Sequence, residues 1–315
     1  MALKVVATGF GGPEVLAVVD EPVRDPGPGE VSVRVRAVGT NPMDYKRFSG
    51  AYGRDPSLLP MAIGTEASGV VTEVGGQAQG PGGPVRAGDE VALFRIEGAY
   101  ASEVVVPASA VVPKPSNLSF AEAGGLLLTG CTAVHALMVT AVGSADTVIV
   151  HGASGGVGLM AVQLAVHAGA RVIGTARASG HDYLRQLGAH PVAYGDGLIE
   201  RILGLAPDGI DAAVDTVGTD EAIDTSVALV SDRHRIVTIA AFKRGFELGL
   251  RVIGGAPGAD PGTEIRSAAR MELVELANAG ALQVLVARTY PLLEAGAALR
   301  ELAGGHTHGK IVLIP

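Results

Sequence analysis

The segment His151-Gly152-Ala153-Ser154-Gly155-Gly156-Val157-Gly158 is where residue types and spacing in this chain first suggest chemistry. It follows the apolar run Thr147-Val148-Ile149-Val150 and opens a helical pattern over residues 158–168. Strand, glycine loop and helix in that order are the context a dinucleotide site requires. Ala153 takes the first small-residue position. Gly155 lets the backbone approach a pyrophosphate, and Gly158 lets the helix pack closely on the strand. Ser154, Gly156 and Val157 complete the loop. The helix N-terminus adds free N–H groups and a positive dipole end. A glycine loop alone also fits a plain tight turn. The strand before it, the helix after it and the alternation downstream favour the nucleotide.

The next strand, Arg171-Val172-Ile173-Gly174-Thr175, runs into Ala176-Arg177-Ala178-Ser179. An NAD site usually carries Asp or Glu about 20 residues after the loop to hold the ribose hydroxyls. No acid stands here. Arg177 and Ser179 instead suit a 2′-phosphate, so NADPH is the expected cofactor. Arg177 also fits an ordinary solvated arginine, and the missing acid is the stronger half of the argument.

These residues need elements to position them. Residues 31–38 alternate apolar and polar, the period of a half-buried strand. Further short strands are expected over 3–7, 69–74 and 90–94 and within 98–107, which suggests a twisted, barrel-like unit. Ser119 and Glu122 form a capping-box pattern, and a long helical stretch follows. Then strands (147–150, 171–175, 192–194, 212–215, 235–240, 248–253) alternate with helices (158–168, 179–188, 198–205, 220–230). Such alternation predicts a parallel sheet covered on both faces. A helix, a strand near Val284, another helix and a strand over 311–314 end the chain.

Composition agrees. The 315 residues are 48% hydrophobic and 18% charged, which excludes long disorder. The 45 glycines follow no triplet period, which excludes collagen. A net charge of −8 with no basic stripe argues against nucleic acid and against an anionic membrane. Residues 123–142 hold no Asp, Glu, Lys or Arg, but threonines, His135 and glycines interrupt them, so a buried helix is expected rather than a membrane span. Cys131 is the one cysteine and cannot form an internal disulfide. The start shows no signal-peptide pattern, and a reducing cytoplasm is the expected location.

Five motifs resemble those of a known family. They are Gly39-Thr40-Asn41-Pro42-Met43-Asp44, Gly64-Thr65-Glu66-Ala67-Ser68-Gly69, Gly88-Asp89-Glu90-Val91, Leu128-Thr129-Gly130-Cys131-Thr132-Ala133 and the loop from Ala153 to Gly158. Asp215-Thr216-Val217-Gly218 and Gly309-Lys310-Ile311-Val312-Leu313 add to them. In this order the chain resembles the zinc-independent quinone oxidoreductase branch (zeta-crystallin-like) of the medium-chain dehydrogenase/reductase superfamily. The resemblance implies an α/β fold: a Rossmann doubly wound parallel sheet inserted in a β-rich, GroES-like catalytic domain. The expected domains are residues 1–118 plus 260–315, catalytic, and 119–259, dinucleotide-binding. It implies a cleft active site and a homodimer paired through the edge strand over 248–253.

The resemblance also implies residue roles. Asn41 and Tyr52 match the polar pair lining the substrate site, where each can donate to a carbonyl. Asn41 also fits a turn residue before Pro42, and Tyr52 a plain loop tyrosine. Thr132, Val217, Gly218, Ala240 and Phe242 would line the cofactor. Tyr194 would stand near the adenosine phosphate, or simply be a strand tyrosine. Lys310 is the cation left in a terminal segment where relatives carry arginine and this chain has His306 and His308. Zinc-dependent relatives place cysteine where Asn41 stands and histidine where Thr65 stands. Catalytic zinc needs about three Cys, His or carboxylate ligands, so no metal is expected.

The expected activity is NADPH-dependent reduction of a quinone or an α,β-unsaturated carbonyl, with the oxygen polarised by hydrogen-bond donors. Alternatives are a trans-2-enoyl thioester reductase and a non-catalytic NADPH-binding redox sensor.

Overall fold

The computed structural model describes residues 1–305 and 307–315; His306 lies outside the described residues. The chain forms two compact units, one of residues 1–128 and 270–315, the other of residues 129–269. The joints fall at 128 and 269 rather than at the expected 118 and 259. Local bonds explain the shift. Helix Phe120–Gly124 is tied to first-unit strands, with Ser68 Oγ donating to the Phe120 carbonyl at 2.6 Å. Arg36 and Lys114 each lie 5.3 Å from the Phe120 ring centroid. At the other joint, Arg270 donates to the Ser109 carbonyl at 2.6 Å and Asn117 to the Ala277 carbonyl at 2.6 Å.

In the first unit, strand Glu30–Gly39 is central. It pairs with Glu66–Val74 on one side and with the C-terminal strand Lys310–Ile314 on the other. The expected alternation is present: Val33 and Val35 are buried while Arg34 and Arg36 are exposed. The core between these strands and their covering helices includes Val33, Phe48, Leu93, Tyr100, Leu299 and Leu313. A separate three-stranded sheet joins Leu16–Glu21, Ala2–Ala7 and Met61–Ala62.

In the second unit the described strands form one parallel sheet. Its order is His190–Val192, Arg171–Thr175, Thr147–His151, Ala212–Asp215, Ile236–Thr238, Arg251–Val252. The order runs outward both ways from Thr147–His151. This is the doubly wound pattern, whose crevice at the carboxyl ends beside the first strand takes ligands. The apolar stretch over 123–142 divides into Phe120–Gly124 and Leu127–Val139. Among the described residues, no helix is long and apolar enough to cross a membrane.

Two expectations for this unit change. The strand over 192–194 is His190–Val192, so Tyr194 lies past its end. The edge strand over 248–253 is only Arg251–Val252. Leu248 caps the preceding helix, and the chain then folds back along its own edge. Asp260 N donates to the Val252 carbonyl and Gly254 N to the Asp260 carbonyl, both at 2.9 Å. The expected dimer edge is therefore short and partly occupied by its own loop, which opposes pairing with a second copy there.

Candidate active site

The glycine loop is built from the strand end upward. Gly152 has φ +70, a conformation glycine adopts without strain. Its N–H donates to Thr175 Oγ1 at 3.3 Å, and Ala153 N donates to the Thr175 carbonyl at 3.0 Å. The loop is thus strapped to the neighbouring strand. Gly155 caps helix Gly156–His167 without any side-chain cap bond, so the first-turn N–H groups keep no intrahelical acceptor. A Cβ on Gly155 would meet only the Gly152 carbonyl, at 3.4 Å, whereas one on Gly158 would come within 2.2 Å of that same oxygen. Gly158 is therefore needed for packing, while Gly155 keeps open space above bare donors. That cradle fits a pyrophosphate.

The neighbouring strand ends are cross-linked. Asp215 Oδ1 accepts from Val217 N at 3.0 Å and Gly218 N at 2.8 Å, and its Oδ2 accepts from Thr238 Oγ1 at 2.6 Å. Burial raises the Asp215 carboxyl above its usual range although those bonds favour the anion. Thr238 in turn accepts from Ala240 N at 3.2 Å and Ala241 N at 2.9 Å. A Cβ on Gly218 would lie 2.8 Å from Ala240 Cβ. Val217, Gly218 and Ala240 are thereby brought together. Phe242 opens the following helix, Phe242–Glu247, and Thr132 is buried within Leu127–Val139. His151 was not among the expected site residues. It is buried at the root of the loop, its Nδ1 is 3.3 Å from Thr175 Oγ1, and desolvation lowers its pKa to about 4. Its position before the glycines was the available signal.

Beyond Thr175, Arg177 Nε donates to Tyr194 Oη at 2.7 Å. Both side chains are exposed, and Ser179 lies in the short helix Ala178–Gly180 between them and the next element. Two strand ends thus present a guanidinium and a phenol at one place, and the run Ala176-Arg177-Ala178-Ser179 just past the first of them holds no carboxylate.

The first unit holds Asn41, Tyr52 and Lys310. Asn41 caps helix Pro42–Ser49, and Asp44 Oδ2 accepts its backbone N–H at 2.8 Å. The Asn41 side chain is spent. Its Oδ1 accepts from Lys310 Nζ at 2.7 Å, and its Nδ2 donates to Glu66 Oε1 at 2.9 Å and to the Gly39 carbonyl at 3.3 Å. Asn41 is therefore not the open carbonyl donor the resemblance implied. Lys310 also donates to the Thr40 carbonyl at 2.8 Å and to Glu66 Oε1 at 2.9 Å, and it is only 4% exposed. All three ammonium hydrogens are used, which overturns Lys310 as a phosphate contact. Tyr52 is 42% exposed, just past the left-handed Gly50 that ends the helix. Partial desolvation and the nearby Tyr45 phenol raise its pKa above the ordinary value of 10.0.

Burial pushes the Asp44 carboxyl from 3.8 up to about 7, against the Asn41 N–H, Lys310 and Tyr100, which favour its anion. The folded chain then holds a proton that the unfolded chain releases between these values, so Asp44 makes stability fall as pH rises from about 4 to about 7. His151 acts oppositely. It is depressed from 6.5 to about 4, so it makes stability fall as pH drops through that window. Above 6.5 only the Asp44 slope remains of the two. Melting temperature against pH is expected to lose that slope in Asp44→Asn. An unchanged slope would contradict the assignment.

Residues 27–116 match the alcohol dehydrogenase GroES-like domain family, and residues 156–255 match the zinc-binding dehydrogenase family. The residues present do not fit a catalytic zinc: Asn41 and Thr65 hold two of the relevant positions, and Glu66 is neutralised by the Lys310 ammonium. The chain is 32% identical to a quinone oxidoreductase of Pseudomonas aeruginosa, covering 100% of each chain. It resembles the structure of an Escherichia coli quinone oxidoreductase complexed with NADPH, with 30% identity, a TM-score of 0.85 and coverage of 99% of this chain and 100% of that one. It also resembles an NAD-dependent alcohol dehydrogenase structure, with 30% identity, a TM-score of 0.86 and coverage of 99% of each chain. The GroES-like unit, the Rossmann unit and these full-length likenesses together place the chain in the quinone oxidoreductase-like branch of the medium-chain dehydrogenase/reductase superfamily, as a nicotinamide-dependent oxidoreductase.

Proposed function

We propose that the protein reduces a small quinone or an α,β-unsaturated carbonyl compound with NADPH, without a metal. The observation that carries the cofactor choice is the Arg177–Tyr194 pair beyond a strand end that lacks an acid. A guanidinium bonded to a phenol suits a 2′-phosphate, and the strand end offers no carboxylate to a free 2′-hydroxyl. The first-turn N–H groups of helix Gly156–His167 hold the pyrophosphate. Bound there, NADPH supplies a hydride to the electron-poor atom of the substrate. Val217, Gly218 and Ala240 stand at neighbouring strand ends, where the nicotinamide would lie against them. The Tyr52 phenol, being exposed, donates a hydrogen bond to the carbonyl oxygen as charge develops there. A proton from solvent completes the reduction. Asn41 acts behind Tyr52, as the cap of the preceding helix.

Tyr52→Phe tests this role. The expected result is a fall in kcat/KM for 1,4-benzoquinone of about 10- to 100-fold, with NADPH affinity retained. Unchanged turnover would remove Tyr52 from the mechanism.

A further inference from the structure

Lys310 is the most deeply buried cation in the first unit whose bonds are described, and the fold makes room for it. A Cβ on Gly125 would lie 3.1 Å from Lys310 Cε, and one on Gly39 would lie 2.5 Å from Glu66 Oε1. The Lys310 and Glu66 side chains are 5% and 1% exposed and meet at 2.9 Å. Glu66 Oε2 accepts the Leu128 N–H at 2.8 Å, so both carboxylate oxygens are occupied. A well-packed apolar pair would hold these strands at least as firmly as a buried ion pair. What an apolar pair could not do is fix the Asn41 amide and the Thr40 carbonyl, which Lys310 grips at 2.7 and 2.8 Å. Those two residues launch helix Pro42–Ser49, which carries Tyr45 and leads into the Tyr52 loop.

We infer that Lys310 is a positioning residue for the reaction: its ammonium, held by Glu66, sets the start of helix Pro42–Ser49 and thereby the aim of the Tyr52 phenol. The inference rests on the role proposed for Tyr52. It assigns Lys310 no contact with substrate or cofactor.

Lys310→Met removes the charge and keeps the bulk. Quinone kcat is expected to fall about 10- to 100-fold, the scale of a misplaced catalytic group, with NADPH affinity retained. Lys310→Met leaves Glu66 without its counter-charge. Lys310→Met/Glu66→Gln removes both charges and is not expected to recover the turnover. Wild-type kcat in the folded double variant, or a loss confined to NADPH affinity, would overturn the inference. If Lys310→Met does not fold, the uncharged double variant decides.

A second readout is independent of turnover. The chain has six tyrosines and no tryptophan, so phenolate absorbance, with Tyr52→Phe as the subtraction, follows Tyr52 directly. Lys310→Met is expected to move the Tyr52 titration, and an unmoved titration would overturn the inference. Should the wild type reduce no quinone, the functional reading fails, and this titration alone decides the role of Lys310.

Discussion

Gly155→Asp folds as the wild type does and binds NADPH at least about 100-fold more weakly, a loss of about 2.7 kcal/mol. The two parts of this result have separate causes. A side chain on Gly155 enters open space, since its Cβ meets only the Gly152 carbonyl at 3.4 Å. Folding therefore loses little. The new carboxylate, however, stands at the helix end whose first-turn N–H groups are to hold the pyrophosphate. It occupies those donors and repels the phosphates at short range. Gly158→Val is the contrast. Its Cβ would fall 2.2 Å from the Gly152 carbonyl and 2.8 Å from Ala153 Cα, and backbone cannot yield as a flexible side chain can. That variant loses stability first, by about 1–3 kcal/mol or more. Calorimetric titration and thermal melts separate the two. A folded Gly155→Asp protein with wild-type NADPH affinity would mean that the phosphates do not lie on this loop.

Arg177→Ala weakens NADPH about 10- to 100-fold, as expected for loss of charge-assisted hydrogen bonds, and leaves NADH almost unchanged. Arg177 is exposed and held by Tyr194 Oη at 2.7 Å, so the wild-type preference for NADPH also shrinks as salt is added. Tyr194→Phe should show a smaller effect in the same direction, because the guanidinium stays but its bond to the phenol is lost. Equal losses for both cofactors in Arg177→Ala would show that Arg177 does not read the 2′-phosphate. The comparison matters because the structural likenesses include one protein solved with NADPH and one described as NAD-dependent.

The nucleotide unit was legible because its signals are local. Thr147-Val148-Ile149-Val150 reads as a strand, Gly152 to Gly158 as a loop, and the alternation after it as a doubly wound sheet, each within a few residues. The first-unit site was not legible. Lys310 meets Asn41 across 269 positions and Glu66 across 244, and no period or spacing encodes such a contact. One signal was available. Glu66 and Lys310 are charges that open largely apolar strands, and a charge in such a setting is buried only with a partner. The edge over 248–253 was misread for a related reason. Its apolar content marks a strand, but only the fold shows Asp260 returning to bond Val252 and Gly254. Tyr194 was placed in a strand by its apolar neighbours, yet the strand ends at Val192, which frees the phenol for Arg177.

The central claim is that this chain passes a hydride from NADPH, in preference to NADH, to a quinone. The most direct measurement mixes the purified protein with each reduced cofactor at equal concentration, adds 1,4-benzoquinone, and follows cofactor oxidation against protein-free controls. The account predicts rapid, protein-dependent oxidation of NADPH with stoichiometric hydroquinone, and much slower oxidation of NADH. Tight NADPH binding with no protein-dependent oxidation, or equal rates with both cofactors, would contradict it.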